Sequence, residues 1–242
     1  MHAALLSLLT AAGLAAAQGP YQATGFKVGE VTDTAAIVWT RLTRNPDANP
    51  PAAEAGLSER QAAKRRFPKK PKRSPDTDPS GLPEAAPGAP GEVRVGIRLA
   101  GQPEWHFTAW QPVDPQRDFT CQIPLAGLRP HSQYELRVES RPAGGPLAGQ
   151  ALEGGFRTAP TADEPATVRF CVSTCQSHVT RDCPEGYKIY GQMLKLRPDF
   201  FVHTGDIVYY DYSATAGDWA TSINLARYLW WRTYSRPSLV TF

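Results

Sequence analysis

Three side chains in the C-terminal third of this 242-residue chain are of types that bind cations: Cys175, Asp206 and Tyr209. Cys175 follows the run Val168-Arg169-Phe170-Cys171-Val172-Ser173, and Asp206 follows Phe200-Phe201-Val202-His203 after Thr204 and Gly205. Both runs are short, apolar and β-prone; the first reads as a buried strand and the second as a further strand. Neighbouring strands lie about 4.8 Å apart. If these two are adjacent, a thiol and a carboxylate at their ends can reach one ion. Gly205 permits the sharp turn that aims Asp206 back over the edge. Tyr209, three residues on, can return a phenolate to the same ion. Thiolate, carboxylate and phenolate are all anionic, a set that suits a trivalent cation such as Fe3+ better than Mg2+.

The elements between these residues must bring them together. Asp182 with Glu185 three residues later has the pattern of a capping box. A helix fits Tyr187, Tyr190 and Leu194, with Ile189 and Met193 beside them, and Arg197-Pro198 stops it. Strand, helix and strand make a βαβ unit with parallel strands and a right-handed crossover. Open parallel sheets bind ligands outside the carboxyl ends of their strands, where Thr174-Cys175-Gln176 and Thr204-Gly205-Asp206 fall. Farther on, Trp219 to Tyr234 reads as a helix capped by Asp218. Its Tyr228, Trp230, Trp231 and Tyr234 are assigned to core and interdomain packing rather than to a substrate platform. Cys171 is assigned to the strand interior, and His203, within its strand, to no ligand role.

Upstream the pattern is different. The chain holds 23 prolines and 20 glycines, which favours strands joined by turns over a helical bundle. Residues 35–40, 92–99, 104–110, 119–123, 134–140 and 154–158 read as short strands. Val93, Val95, Ile97 and Leu99 alternate with outward residues at period two, so one face is buried. Together they predict an antiparallel sandwich over residues 20–160. Residues 45–91 interrupt it with ten of the prolines and few large apolar side chains, and are expected to be a disordered insertion. Within it, residues 57–73 carry eight basic side chains and one acid, whereas the rest of the chain is net negative and the total is +3. A uniformly basic nucleic-acid binder is excluded, and the basic stretch reads as a solvated loop. No apolar run reaches the ~20 residues of a membrane span. Ala3 to Ala17 reads as a secretory signal cleaved after about Ala17, although only His2 stands where Lys or Arg is usual. Four cysteines in a chain this long do not make a disulfide scaffold. The expected protein is an exported monomer, secreted, periplasmic or on the cell surface.

Gly205-Asp206-Ile207-Val208-Tyr209 resembles the Gly-Asp-x-x-Tyr block of calcineurin-like metallophosphatases. Ser173-Thr174-Cys175-Gln176 resembles the Ser-Cys-Gln motif of the PhoD-like alkaline phosphatases and phosphodiesterases, which also carry an N-terminal fibronectin-like domain. Leu128 to Tyr134, followed by Phe156-Arg157-Thr158, is similar to the last two strands of a fibronectin type III module, in which Tyr134 fills the tyrosine corner. The resemblance implies a fibronectin type III-like β-sandwich followed, over 167–242, by the truncated start of an α/β metallophosphatase domain. It implies metal-dependent hydrolysis of phosphate monoesters or diesters, with Cys175 and Tyr209 binding Fe3+ and Asp206 bridging it to Ca2+. The family's Asp-Asp-His block and later aspartate, asparagine and histidine ligands are absent, and the usual twin-arginine signal is missing. A fragment, inactive as it stands, is therefore expected. Two rival readings are a purple-acid-phosphatase-like enzyme, against which Cys175 argues, and a non-catalytic fibronectin-like adhesion or binding module.

Overall fold

The computed structural model describes residues 19–51, 74, 76–178, 181–210 and 220–242. The expected signal segment, the basic stretch 57–73, Tyr212, Asp218 and Trp219 lie outside them.

The first unit is a β-sandwich. Strands β1 (Phe26–Gly29), β2 (Ala35–Arg41) and β6 (Thr120–Ala126) form one antiparallel sheet in the order β1-β2-β6. The second sheet runs β4-β3-β7-β8, with β3 at Glu92–Leu99, β4 at His106–Phe107, β7 at Gln133–Arg141 and β8 at Ala148–Arg157. The strand expected over 104–110 is instead two two-residue strands, β4 and β5 (Gln111–Pro112), both paired with β3. Inward residues of the two sheets interdigitate: Val38, Val93, Val95, Ile123, Leu136 and Val138 are essentially inaccessible to water. Burying side chains of this size stabilises by about 1.5–3 kcal/mol each before conformational entropy is deducted. The outward arginines of β3 are matched rather than wasted. Arg94 pairs with Glu139 at 2.7 Å and lies 4.3 Å from the Phe107 ring centroid. Tyr134 closes the sandwich as expected: its hydroxyl accepts from the Arg129 amide at 2.7 Å, and its ring stacks on Phe156.

The proline-rich insertion differs from expectation at both ends. Residues 45–51 and 76–91 pack against the molecule, and Ala85 and Ala86 are fully buried. Composition hides this because small side chains contribute little area individually, yet they let a flat backbone approach a helix closely. Ala85 and Ala86 meet Tyr228, Leu229 and Trp231 in one cluster, and the Pro83 carbonyl accepts from the Tyr228 hydroxyl at 2.9 Å. Asn49 clasps the two ends, its side-chain amide donating to the carbonyls of Ser80 and Leu82, both at 2.9 Å. At Gly88 an added Cβ would lie 2.0 Å from the Phe119 ring, so only glycine fits this crossing.

The second unit holds the expected βαβ arrangement. Strands β9 (Phe170–Ser173) and β10 (Phe200–His203) pair in parallel, Phe170 opposite Phe200 through Ser173 opposite His203. Helix α1 (Lys188–Lys195) lies between them in the chain. Asp182 caps it from a distance, Oδ1 accepting from the Lys188 amide at 2.9 Å, rather than through the expected box with Glu185. One sheet face is covered: Cys171 and Phe201 pack on Tyr187, Tyr190 and Met193 of the α1 region and on Leu239 and Phe242. Leu194 and Ile189 point to solvent instead of joining that core. The other sheet face is bare, with Phe170, Val172, Phe200 and Val202 from 37% to 54% exposed.

Helix α2 (Ile223–Tyr234) begins later than expected, because the Ser222 hydroxyl accepts from the Leu225 amide and sets the start there. It is followed by the short α3 (Pro237–Val240). Helix α2 docks on the sandwich through a buried polar seam. Asp118 pairs with Arg41 at 3.0 Å and accepts from Trp231 Nε1 at 2.6 Å, and Arg41 also donates to the Ala86 carbonyl at 2.7 Å. Among the described residues no helix is long and apolar enough to cross a membrane.

Candidate functional site

Beyond the last paired strand residues, the β9–β10 ladder continues into both loops. The Thr204 amide donates to the Ser173 carbonyl at 2.9 Å, Cys175 to the Gly205 carbonyl at 3.2 Å, and Gln176 to the Asp206 carbonyl at 2.9 Å. This zipper decides where the side chains fall. Cys175 (φ 56°) and Asp206 (φ 57°) are both left-handed, and Gly205 between the strand and Asp206 has φ 127°. Aspartate tolerates that region, glycine prefers it, and cysteine is strained there.

The two turns bring all three expected donors together. Cys175 Sγ donates to Asp206 Oδ2 at 3.4 Å, and the Tyr209 hydroxyl donates to the same oxygen at 3.0 Å. Thr174 Oγ1 lies 3.7 Å from the Cys175 sulfur and 3.4 Å from the Gly205 carbonyl, bracing the thiol from behind. Cys175 and Asp206 are exposed and Tyr209 half-buried, so the cluster is open to solvent. The Tyr209 phenol is held well above the usual tyrosine range, first by desolvation, then by hydrogen bonds and negative charge from Cys175 and Asp206. Among the described residues no three His, Cys, Asp or Glu side chains group as a metal site, so the third donor here is the phenol.

The flanking residues sort themselves by contact. Gln176 is buried, its Oε1 accepting from the Tyr190 hydroxyl while its Nε2 has no partner among the described residues. His203 stays in its strand, with Nδ1 facing the Gly205 amide at 3.3 Å and the ring edge-on to Phe201. Burial lowers its pKa, and it does not join the donor cluster. Cys171 belongs to the covered core, and Cys121, Cys171, Cys175 and Cys183 are all free.

Sequence reasoning did not single out His178. It lies in a half-buried ionic knot behind the site: His178 Nε2 is 3.2 Å from Glu84, with Arg181 at 3.3 Å and Arg236 at 2.6 Å from the same carboxylate. Burial alone would raise the Glu84 pKa. The hydrogen bond from His178 and the charges around it, Arg236 and Arg181 among them, outweigh that and hold it near 2. Burial, opposed by Glu84 and reinforced by Arg232 and Arg236, lowers His178 to about 4. No single motif announces this knot, because Glu84 comes from the proline-rich insertion and its partners from the second unit.

The molecule is thus a β-sandwich carrying an α/β unit whose strand ends expose a thiol, a carboxylate and a phenol. Its solved structural neighbours include PhoD, with 16% sequence identity and a TM-score of 0.59 over 95% of this chain and 38% of that one. The chain therefore spans well under half of PhoD's length, and the likeness extends across both units at the level of fold. An FN3 domain of human collagen XX matches at 16% identity and a TM-score of 0.32, covering 61% of this chain and 100% of that one. A redesigned β-sandwich protein matches at 16% identity and a TM-score of 0.29, over 57% of this chain and 93% of that one. At those scores neither carries an argument. No family model and no curated protein sequence matches the chain.

Proposed function

We propose that this chain carries the first metal position of a PhoD-like phosphate-ester hydrolase. The observation that supports it most directly is the meeting of Cys175, Asp206 and Tyr209 at the carboxyl ends of two parallel strands, 3.4 and 3.0 Å apart through one carboxylate oxygen. The donor set fits the metals that the resemblance implies. Cys175 and Tyr209 would hold Fe3+, and the Asp206 carboxylate, which both of them contact, would bridge it to Ca2+. Bound there, the ions would supply Lewis acidity and charge neutralisation to a phosphate ester.

The chain's own contribution is preorganisation. The loop zipper fixes both left-handed turns before any ion arrives, so the ligand side chains need little rearrangement. The Thr174 hydroxyl steadies the sulfur, and the buried Gln176–Tyr190 contact anchors the backbone just beyond it. The fold likeness to PhoD and the Cys-Gln and Gly-Asp-x-x-Tyr spacing favour this reading over a purple-acid-phosphatase-like site or a binding module. Export to the periplasm or cell surface belongs to the same proposal.

The test reads metal and turnover separately. Ferric iron added to the purified chain is expected to give a tyrosinate-to-iron absorption band in the visible, absent in Tyr209→Phe and weakened with iron content in Cys175→Ala. Protein from its native locus is expected to hydrolyse p-nitrophenyl phosphate or bis(p-nitrophenyl) phosphate, and the ratio of the two sets the ester preference. Normal iron content and full activity in Cys175→Ala would sink the assignment.

A further inference from the structure

A cleft of about 420 Å3 opens between the outer face of the β1-β2-β6 sheet and helix α2, away from the donor cluster. Its walls are aromatic. Trp39 of β2 and Tyr234 of α2 have ring centroids 6.4 Å apart, and Tyr234 stacks on Trp230 at 5.5 Å. Trp231 lies at the back, committed to Asp118 and to the Arg41 guanidinium 4.8 Å from its ring. Tight packing normally fills such a volume with side chains. Here rings line it instead.

The charges in the cleft are unbalanced. Arg41 is matched by Asp118 at 3.0 Å, so that pair adds no net charge. Lys27 donates to the Leu239 carbonyl and Arg227 to the Gln116 carbonyl, and neither ammonium nor guanidinium meets a carboxylate among the described residues. Burial of Lys27 without a counter-charge draws its pKa down to about 8, a cost that an incoming anion would relieve. Rings that present faces and edges, beside two cations lacking acids, describe a receptor for an organic anion with a flat apolar part.

We infer that this cleft binds a flat aromatic ring bearing a phosphate group, of the size of a nucleoside monophosphate. The ring stacks among Trp39, Trp230 and Tyr234, and the phosphate meets Lys27 and Arg227. Of the helix aromatics, Trp231 does the packing and Trp230 faces the ligand. Trp230 Nε1 also donates to the Tyr210 hydroxyl at 2.7 Å, which ties the cleft wall to the segment that carries Tyr209. The inference does not depend on metal at the donor cluster.

Titration of the full chain, with no metal added, uses adenosine monophosphate, phenyl phosphate, adenosine and inorganic phosphate as probes, followed by calorimetry and tryptophan fluorescence. Either phosphorylated ring is expected to bind saturably and at least tenfold more tightly than adenosine or inorganic phosphate, and the tighter of the two identifies the ring class. Lys27→Met keeps the apolar stem and is expected to fold at least as stably while weakening adenosine monophosphate severalfold and leaving adenosine unchanged, the remaining preference resting on Arg227. Trp230→Leu is expected to weaken both phosphorylated rings about tenfold by calorimetry. Cys175→Ala is expected to leave these affinities unchanged. Equal binding of adenosine and its monophosphate, equal binding of inorganic phosphate, no saturable binding, or loss of binding in Cys175→Ala would each overturn the assignment.

Discussion

Cys175 holds a backbone conformation that a cysteine adopts only under compulsion, with φ at 56°. A left-handed residue with a Cβ costs roughly 1–2 kcal/mol, and the loop zipper to Gly205 and Asp206 sustains it. Strain of this kind is characteristic of functional positions, where geometry takes precedence over stability. Comparing two thiol-free variants isolates it. Cys175→Ala keeps the Cβ and the strain, whereas Cys175→Gly removes both. The glycine variant is expected to be more stable than the alanine variant by about 1 kcal/mol, read as a higher urea midpoint at equal slope. Equal midpoints would mean that the turn is not strained. Asp206, at φ 57°, is expected to show the same alanine-to-glycine gap, because the tolerance belongs to the aspartate side chain that both variants remove. The three donors were legible in the sequence because each sits a fixed step beyond a strand. The left-handed turns that aim them depend on the partner loop and have no signal of their own.

At the level of elements, the proline-rich insertion shows what composition conceals. Its end strip, residues 76–91, behaves as a structural strap: Ala85 and Ala86 bed against α2, and Glu84 enters the knot with His178, Arg181 and Arg236. Because His178 is depressed to about 4 and Glu84 to about 2, the unfolded chain takes up protons at higher pH than the native one does. Stability from His178 is therefore lost as pH falls from about 6.5 through 4, and stability from Glu84 as it falls from about 4.5 through 2. Thermal melts of the chain are expected to drop across this window. Glu84→Gln should melt lower at neutral pH and lose the acid dependence below about pH 4.5, while the His178 window above it persists because Glu84 opposes the lowering of His178; an unchanged profile below about pH 4.5 in that variant would remove the knot from the account. The alternation of β3 could be read from sequence because it is written in consecutive residues, and Asp182 as a capping residue, though not its partner, because Lys188 is only six positions on. Ser222 as the start of α2 and the 420 Å3 cleft could not, since the latter combines β1, β2 and α2 through docking alone.

For the molecule as a whole, the bare face of the two-stranded parallel sheet is the dominant unmet demand. Phe170 stacks on Phe200 with centroids 5.1 Å apart, and neither ring has a covering layer among the described residues. Parallel sheets are ordinarily covered on both faces, and a contiguous apolar patch of this kind promotes association. The chain is expected to bind a hydrophobic dye and to self-associate with rising concentration in sedimentation. Phe200→Glu should reduce both effects with little change in the melting of the sandwich, because Phe200 contributes nothing to that core. Persistence of both effects in the variant would place the sticky surface elsewhere. The Asn49 clasp has a different consequence. By fastening residues 49 and 80–82 to one another, it makes the stability of the sandwich almost independent of how much polypeptide runs between them, since doubling a loop's length costs only about 0.6 kcal/mol.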